Sequence, residues 1–345
     1  MQMPVRQVVT EATIKEHFDA YSAEARKVAR TALISAFGTT PIGAITAIAG
    51  GASGASTFRV EAGDRRYLLR MEGPASPLRN PHQYLSLRIA ADAGIAPRIH
   101  HIDEAARVAV MDFIEEQPLE TYPGGPRALA QALGVLLKRV QETTPFPRFV
   151  EYPDIVAQLW DHVCRTGLFA PNLLDAHTKH LERIREVYVW DPQRSVSCHN
   201  DPTPRNILFD GERLWLVDWE SAYRNDPLVD VAILLDNLVP SPELGDILLR
   251  AWLGRAPDET LCIRLALIRS LSRLYYAGVL LSASAAARWT THDTSISALT
   301  APELQLSIRE GRLKRGAPET KHILGKMYLA AFLSSIAPPG LAAAV

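Results

Sequence analysis

The sequence has few cysteines, no excess of charge and no long apolar segment, and each absence excludes a class of protein. Only 3 of its 345 residues are cysteine, without short metal-ligand spacing, so neither a disulfide scaffold nor a zinc site is predicted. Lys and Arg number 37 against 38 Asp and Glu, and this balance argues against a nucleic-acid-binding protein. The hydrophobic fraction of 47% is that of an ordinary globular chain.

No segment of the sequence combines the length and the hydropathy of a transmembrane helix. The apolar stretch 327–336 is too short to cross a bilayer and is followed by two prolines. The apolar stretch 265–281 is interrupted by two arginines, which predicts a core helix. The N-terminus lacks the apolar centre of a secretory signal, so we expect a cytoplasmic protein with no membrane partner.

Hydrophobic periodicity divides the chain into a mixed part and a helical part. A helical period covers residues 11–37 and returns over 82–93, whereas 67–71 and 108–114 have the composition of strands. Beyond Pro118 helical periods dominate to the end of the chain, interrupted by a β-rich island over 195–219. These elements predict an α+β protein with a small sheet lobe and a larger helical lobe.

The composition shifts set the expected domain boundaries. We expect an N-terminal helical extension over residues 1–38, a sheet lobe over 39–115 and a mainly helical lobe over 116–345.

The segment 198–208, Cys-His-Asn-Asp-Pro-Thr-Pro-Arg-Asn-Ile-Leu, has the spacing of a phosphoryl-transfer site. Asn206 follows Asp201 by five residues, and Asp218 closes an apolar strand twelve residues after Asn206. Phosphoryl transfer needs a carboxylate that orients the acceptor hydroxyl, and an amide oxygen with a second carboxylate that hold Mg²⁺ against the nucleotide phosphates. The spacing matches the catalytic loop of protein kinases, with Asn200 in place of Arg. Each part alone is compatible with an ordinary turn, but together they indicate kinase chemistry.

On these residues the sequence resembles the aminoglycoside phosphotransferase and choline kinase superfamily, the small-molecule relatives of protein kinases. The runs 198–201, Cys-His-Asn-Asp, and 218–220, Asp-Trp-Glu, are similar to the choline/ethanolamine kinase branch. The aminoglycoside branch more often has His-Gly-Asp and lacks the acid after the metal motif. The resemblance covers residues 40–300 and implies a protein-kinase-like two-lobe fold with ATP and Mg²⁺ as cofactors.

The resemblance also implies roles for individual residues around the motif. Asp201 takes the place of the catalytic base, and Asn206 and Asp218 take the places of the Mg²⁺ ligands. His199 is expected to be a structural residue of the loop. Asp230 is expected to begin a helix and to accept hydrogen bonds from the backbone of the loop, which is compatible with an acidic residue in a first helical turn.

By the same resemblance the nucleotide-binding residues lie in the sheet lobe. The small-residue run 50–56 stands where a loop covers the phosphates, and small side chains let backbone N–H groups approach them. Arg70 stands where protein kinases place a phosphate-binding Lys, and a guanidinium can bind phosphate oxygens in pairs. The loop residues expected to bind the cofactor are Gly51, Ser53, Gly54 and Ser56.

The run 111–114 occupies the expected hinge, where backbone groups at Asp112 and Ile114 would bind adenine. Two other positions depart from the family pattern. Gln83 stands where a helix should supply a Glu to pair with the strand cation, and Arg205 stands where many relatives have Gly. These departures leave a catalytically degenerate nucleotide-binding protein open as an alternative.

The acceptor is expected to be a small cation, because quaternary ammonium groups are held by aromatic faces with a carboxylate nearby. Glu220 and Asp236 are the candidate acids, since a buried carboxylate needs a partner that a cationic substrate supplies. Trp219 and Tyr223 are the candidate aromatic contacts. Four more aromatic residues of the helical lobe are weaker candidates: Trp252, Tyr275, Tyr276 and Trp289.

The sequence therefore predicts an ATP-dependent kinase for a hydroxyl of a small amino-alcohol such as choline or ethanolamine. An aminoglycoside-type antibiotic kinase is the first alternative and predicts a broad acidic cleft. A protein kinase is disfavoured, because no Asp-Phe-Gly motif or Ala-Pro-Glu-bounded activation segment lies between Asp218 and Asp230.

Overall fold

The computed structural model describes residues 18, 21–48, 54–73, 80–287 and 292–336. Its strands are β1 Ile42–Ile48, β2 Ser56–Ala62, β3 Arg65–Met71, β4 Ile99–Asp103, β5 Val108–Asp112, β6 Val196–Cys198, β7 Ile207–Phe209, β8 Leu214–Leu216 and β9 Tyr223–Asn225. Its α-helices are α1 Ala23–Phe37, α2 Gln83–Asp92, α3 Gly125–Gln141, α4 Tyr152–Arg165, α5 Asp175–Val187, α6 Leu228–Asn237, α7 Pro242–Leu253, α8 Glu259–Ala286, α9 Ala301–Arg309 and α10 Pro318–Ile336. Within the described ranges, no helix has both the length and the apolar character needed to traverse a bilayer.

The chain divides into two compact units. Unit 1 comprises residues 1–129 and 204–223, and unit 2 comprises residues 130–203 and 224–345. The segment 204–223 therefore packs with the N-terminal part of the chain, although more than 70 residues separate them in sequence. The domain boundaries expected above stay a prediction.

Unit 1 is built on a five-stranded antiparallel sheet with the strand order β1-β2-β3-β5-β4. β2 and β3 form a hairpin whose turn contains Gly63 at φ 63°, a left-handed conformation that favours glycine. Side chains alternate between the two faces of a strand. Phe58 and Leu69 are consequently buried in the core, whereas Arg70 lies on the opposite face of β3 and remains partly exposed.

Helix α1 covers one face of this sheet. Its N-cap is Ser22, whose side chain accepts a hydrogen bond from the N–H of Ala25. Ala29 and Leu33 are fully buried in one cluster with Phe58 and other strand residues, so the helix completes the core of unit 1. The helix expected over residues 11–37 is present from residue 23; residues 11–17, 19 and 20 lie outside the described residues.

Helix α2 and the hairpin β7–β8 complete unit 1. The side chains of Asn80 and Ser86 both donate to the carbonyl of Ala222 at 2.7 Å, and this fixes α2 against the short 3-10 turn Trp219–Ser221. The contact explains why the segment after β8 belongs to unit 1.

Unit 2 is mainly helical and is organised around α8, which has 28 residues and packs against α4, α6 and α10. Asp258 caps its N-terminus by accepting a hydrogen bond from the N–H of Leu261. Gly325 of α10 allows close helix packing, because a Cβ at that position would lie 2.6 Å from the side chain of Leu281 on α8. The core helix predicted over 265–281 is confirmed, and so is the α+β fold class with a small antiparallel sheet and a helical unit.

Candidate active site

In unit 1 three carboxylates surround the guanidinium of Arg70. Its Nε lies 2.6 Å from Glu72, and its Nη2 lies 2.7 Å from Asp218 Oδ1 and 3.1 Å from Glu220. Burial by itself lowers the pKa of Arg70, but the charges of Asp218, Glu72 and Glu220 outweigh it and raise that pKa above its ordinary value. Arg70 is therefore permanently cationic and held in one orientation, as a phosphate-binding group must be.

The hairpin β7–β8 places Asn206 and Asp218 at the same end. Ile207 pairs with Leu216 across the hairpin, and the N–H of Val217 donates to the carbonyl of Asn206 at 2.9 Å. Asp218 has φ 65°, a left-handed conformation that is uncommon outside glycine and is often found at functional sites. The sequence spacing of twelve residues thus becomes spatial proximity of the two backbones through one hairpin.

The oxygen donors of this hairpin suit Mg²⁺. The ion prefers hard oxygen ligands and is usually bound by one or two protein carboxylates together with substrate phosphates and water. Asn206 supplies an amide oxygen and Asp218 a carboxylate, and the neighbouring Arg70 suits the phosphates. Among the residues that the structure describes, no group of three or more His, Cys, Asp or Glu side chains could hold a metal by itself. A site completed by nucleotide phosphates has no need of such a group.

The structure of unit 1 shows how Gln83 and Arg205, the two departures from the family pattern, are accommodated. Gln83 is buried, and its Oε1 has no hydrogen-bond partner within the described part of the chain. An acidic residue at position 83 would form an ion pair with Arg70. Glu72 forms that ion pair instead, and the sequence motifs do not indicate this residue. Arg205 is exposed in the 3-10 turn Pro204–Asn206 and leaves the adjoining hairpin intact.

The remaining nucleotide-site candidates fall into two groups. Gly51 and Ser53 lie outside the described residues. Gly54 has φ 72°, and Ser56 begins β2 opposite Met71.

In the hinge the N–H of Asp112 donates to the carbonyl of Arg98 at 2.8 Å, so that donor is not available to adenine. The expectation that backbone groups at Asp112 and Ile114 bind adenine stays a prediction, and no backbone bond within the described ranges occupies the N–H of Ile114.

In unit 2 the catalytic loop is held by the carboxylate of Asp230 at the start of α6. Its two oxygens accept the backbone N–H groups of His199 at 2.8 Å and Asn200 at 2.7 Å. The N–H of Asp201 donates to His199 Nδ1 at 3.3 Å. Burial raises the pKa of Asp230 to about 7, with the charge of Asp201 acting in the same direction against the two N–H donors. The contacts are those expected for His199 and Asp230 as structural residues.

Asn200 shows why the kinase arginine is replaced in this loop. Its backbone has φ 63°, a conformation that Asn adopts more readily than Arg. Its side-chain oxygen accepts a hydrogen bond from Asn225 at 2.7 Å. The next residue, Asp226, is bound by Tyr188 at 2.6 Å and by Arg264 of α8 at 2.7 Å. A buried polar network that sequence spacing does not reveal therefore supports the loop.

The side chain of Asp201 also has a partner in unit 2. The hydroxyl of Tyr276, on α8, donates to Asp201 Oδ1 at 2.6 Å. The ring of Tyr276 is stacked on that of Tyr328 with a centroid separation of 5.5 Å, and it meets Tyr275 edge-on at 5.6 Å. The sequence pattern indicates Tyr276 only as an aromatic surface; the role of its hydroxyl depends on a contact across 75 residues.

Several acceptor-site candidates have partners inside the protein. Asp236 is bound by Arg269 and Arg273 of α8, so arginines of this chain supply the cation that a substrate was expected to supply. Glu220 contacts Arg70, and the indole N–H of Trp219 donates to the carbonyl of Leu216 at 3.0 Å. These internal contacts satisfy the polar groups of both side chains, and the expectation that Asp236 and Trp219 contact the substrate stays a prediction.

The other aromatic candidates are divided between the core and the tyrosine cluster. Tyr223 is buried, and Trp252 is buried with its indole N–H on Gln141 at 2.8 Å. Trp289 lies outside the described residues. Tyr276 contacts Asp201 through its hydroxyl, and Tyr275 packs edge-on against the ring of Tyr276.

Comparison with known proteins now decides the family. Residues 44–261, well over half of the chain, match the model of a family described as the phosphotransferase enzyme family. The chain belongs to the phosphotransferase enzyme family. The prediction of a phosphotransferase is thereby confirmed, and the matched range contains every catalytic and metal-binding candidate named above.

Individual similar proteins cover different shares of this phosphotransferase. Protein LicA of Haemophilus influenzae is 42% identical over 55 residues, which are 16% of this chain and 21% of that protein, so the match spans about a fifth of the relative. A choline/ethanolamine kinase family protein from Mesorhizobium loti has a similar fold, with a TM-score of 0.66 and 20% identity over 93% of this chain and 96% of the other. A spectinomycin phosphotransferase in complex with ADP and spectinomycin gives a TM-score of 0.52 and 14% identity, with coverages of 85% and 97%. At these identities the two structural matches confirm the fold.

Proposed function

We propose that this phosphotransferase is a small-molecule kinase that transfers the γ-phosphoryl group of ATP to a hydroxyl of a cationic amino-alcohol such as choline or ethanolamine. Asp201 is the proposed base, and Asn206 and Asp218 are the proposed ligands of Mg²⁺. The observation that carries the proposal is the environment of Asp201, whose carboxylate accepts a hydrogen bond from the hydroxyl of Tyr276, a tyrosine whose ring is stacked on Tyr328.

The proposed mechanism relies on positioning and electrostatics, which dominate phosphoryl transfer. Mg²⁺ supplies charge neutralisation at the phosphates when it is bound. Arg70 binds phosphate oxygens through a guanidinium that Glu72 orients. Asp201 accepts the hydrogen bond of the acceptor hydroxyl and takes its proton as the new P–O bond forms and the bond from phosphorus to the ADP leaving oxygen breaks.

The environment of Asp201 also supports the class of acceptor. An ammonium group is attracted to aromatic faces and to a carboxylate, and in unit 2 both are present within one cluster formed by Asp201, Tyr276 and Tyr328. Among the structures compared, the match to the choline/ethanolamine kinase family protein has the higher TM-score, 0.66 against 0.52. These observations favour an amino-alcohol over the aminoglycoside alternative.

Two further observations weigh against the alternatives. An aminoglycoside site requires many unpaired carboxylates, yet Asp226 and Asp236 of unit 2 are both paired with arginines. A degenerate protein was suggested by Gln83 and Arg205, but Arg70 is oriented by Glu72 instead, and Arg205 is exposed.

The test is Mg²⁺-dependent ADP release from ATP with a panel of acceptors: choline, ethanolamine, thiamine, methylthioribose and kanamycin. We expect stimulation by choline or ethanolamine. Stimulation by kanamycin alone would retain the kinase and refute the amino-alcohol assignment. No stimulation by any of the five, with ATP binding intact, would refute the proposed acceptor class.

The proposed base is tested separately by Asp201→Asn. We expect turnover to fall by about two to four orders of magnitude, the usual contribution of general-base catalysis, while ATP binding is retained. Asp246→Asn is the matched control, because the side chain of Asp246 on α7 is 48% exposed and pairs with Arg250. Wild-type turnover in Asp201→Asn would refute the assignment.

A further inference from the structure

A buried or partly buried carboxylate can act as a base only if it is held in one orientation, and in this chain the backbone and the side chain of Asp201 are held by different elements. The backbone is fixed through the loop, whose N–H groups bind Asp230 and whose Asp201 N–H binds His199. None of these bonds restrains rotation about χ1 or χ2 of Asp201. The rotamer of Asp201 is selected by contacts to the carboxylate itself.

One such contact comes from α8. The hydroxyl of Tyr276 donates to Asp201 Oδ1 at 2.6 Å, a short distance typical of a hydrogen bond from a hydroxyl to an ionised carboxylate. The phenol is itself fixed, since Tyr328 of α10 stacks on its ring with an interplanar angle of 24° and Tyr275 packs edge-on at 78°. Two aromatic contacts therefore determine where the hydroxyl lies before any substrate arrives.

The helix that carries Tyr276 is also well anchored to the region of the catalytic loop. Arg264, three helical turns earlier on α8, binds Asp226, whose neighbour Asn225 holds Asn200 of the loop. A displacement of α8 would therefore move the donor and the loop together. Their relative positions are kept constant by the rigid helix.

Resting on the proposed function, we propose that Tyr276 is a positioning residue of the kinase, whose hydroxyl holds the carboxylate of Asp201 in the rotamer that accepts the proton of the substrate hydroxyl. The acceptor's proton is still taken by Asp201, and Tyr276 remains protonated throughout the reaction.

The protonation state of the phenol agrees with this role. Burial, the negative charge of Asp201 and the hydrogen bond to it all raise the pKa of Tyr276 well above its ordinary value. Tyr276 is thus a permanent donor and cannot serve as the base in place of Asp201.

The test compares two tyrosines of the same cluster. Tyr276→Phe removes the hydroxyl that contacts Asp201. Tyr152→Phe is the matched control, since Tyr152 is buried, its ring packs on Tyr275 at 5.9 Å, and its hydroxyl donates to Ser272 at 3.1 Å. Both variants lose one hydroxyl hydrogen bond inside unit 2, but only one of these bonds is to Asp201.

For Tyr276→Phe we expect kcat to fall about 10- to 100-fold while KM for ATP stays within about two-fold, since one lost positioning contact affects the transition state more than the nucleotide. Tyr152→Phe should lower the melting temperature and leave kcat within about two-fold. A purely structural role predicts the opposite result, in which both variants lose kcat in proportion to stability, and this would overturn the proposal.

A double-mutant cycle separates this inference from the proposed function. In the Asp201→Asn background, Tyr276→Phe should cause no further loss of kcat, because the base that the Tyr276 hydroxyl orients is already absent. If Asp201→Asn is inactive and Tyr276→Phe retains wild-type kcat, the positioning role is refuted while the proposed base stands. If Asp201→Asn is fully active, the proposed function fails and the positioning role fails with it.

Discussion

Arg70 and Glu72 form an ion pair within one stretch of chain, with Arg70 Nε 2.6 Å from the carboxylate and the Glu72 side chain only 4% exposed. In the protein-kinase pattern an acid from the neighbouring helix orients the strand cation. Here that helix position is Gln83, and the acid is the residue that directly follows β3. The pairing is the reason why we interpret Arg70 as an intact phosphate-binding group.

Glu72→Gln should weaken binding of Mg²⁺-ATP about ten-fold, because a hydrogen bond to a charged group contributes about 1.5–3 kcal/mol and a ten-fold change corresponds to about 1.4 kcal/mol. Isothermal titration calorimetry with a non-hydrolysable ATP analogue measures the effect. Glu61→Gln is the control, since Glu61 lies on β2, is 39% exposed and pairs with Arg59 at 3.8 Å. Equal affinities for Glu72→Gln and wild type would show that Arg70 needs no orienting acid.

Gln83→Met should leave stability within about 1 kcal/mol of wild type, or raise it. The Gln83 Oε1 is buried without a partner in the described chain, and replacing an unsatisfied polar group by an apolar one of similar size removes a desolvation cost. Gln83→Ala should be destabilising, because it creates a cavity. Urea denaturation of the three proteins tests this expectation, and a large loss of stability in Gln83→Met would contradict it.

Asp218→Asn should abolish the enhancement of ATP affinity by Mg²⁺ while metal-free binding remains. The carboxylate is the only charged member of the proposed pair with Asn206, and Mg²⁺ binds neutral amides weakly. ATP titrations with and without Mg²⁺ give the ratio of affinities directly. Glu212→Gln, an exposed position in the same hairpin, should leave that ratio unchanged. An unaltered ratio in Asp218→Asn would remove Asp218 from the metal site.

Asp230 should make the stability of unit 2 depend on pH. The pKa of this buried acid rises from 3.8 to about 7 on folding, so the folded state binds its proton more tightly than the unfolded chain. Its contribution to stability is therefore complete below about pH 4 and is lost as the pH rises to about 7. The melting-temperature difference between wild type and Asp230→Asn should shrink from pH 5 to pH 8.

The opposite trend for Asp230 would be equally informative. A difference that grows with pH would mean that the N–H groups of His199 and Asn200 keep the carboxylate ionised in the folded state. In that case the two backbone donors, and not burial, would dominate the titration.

The sequence by itself determined the elements that depend on local pattern. Alternation over β2 and β3 and the helical periods of α3, α4 and α8 follow from which side chains must leave water, so they could be predicted from residue order. The spacing of Asp201, Asn206 and Asp218 likewise predicted a phosphotransferase, because a loop and a short hairpin fix such groups within one continuous segment.

Only the tertiary structure decided which residues of distant segments meet. It gave Asp236 two arginines of α8 as partners, placed the hydroxyl of Tyr276 on Asp201 and packed α1 against the sheet of unit 1. It also showed that Glu72 orients Arg70. Glu72 is close to Arg70 in sequence, but its role becomes evident only from its burial in the structure. The physical reason is common to all four: a polar or apolar group is satisfied by whichever neighbour the packed chain supplies, and residue order does not record that neighbour.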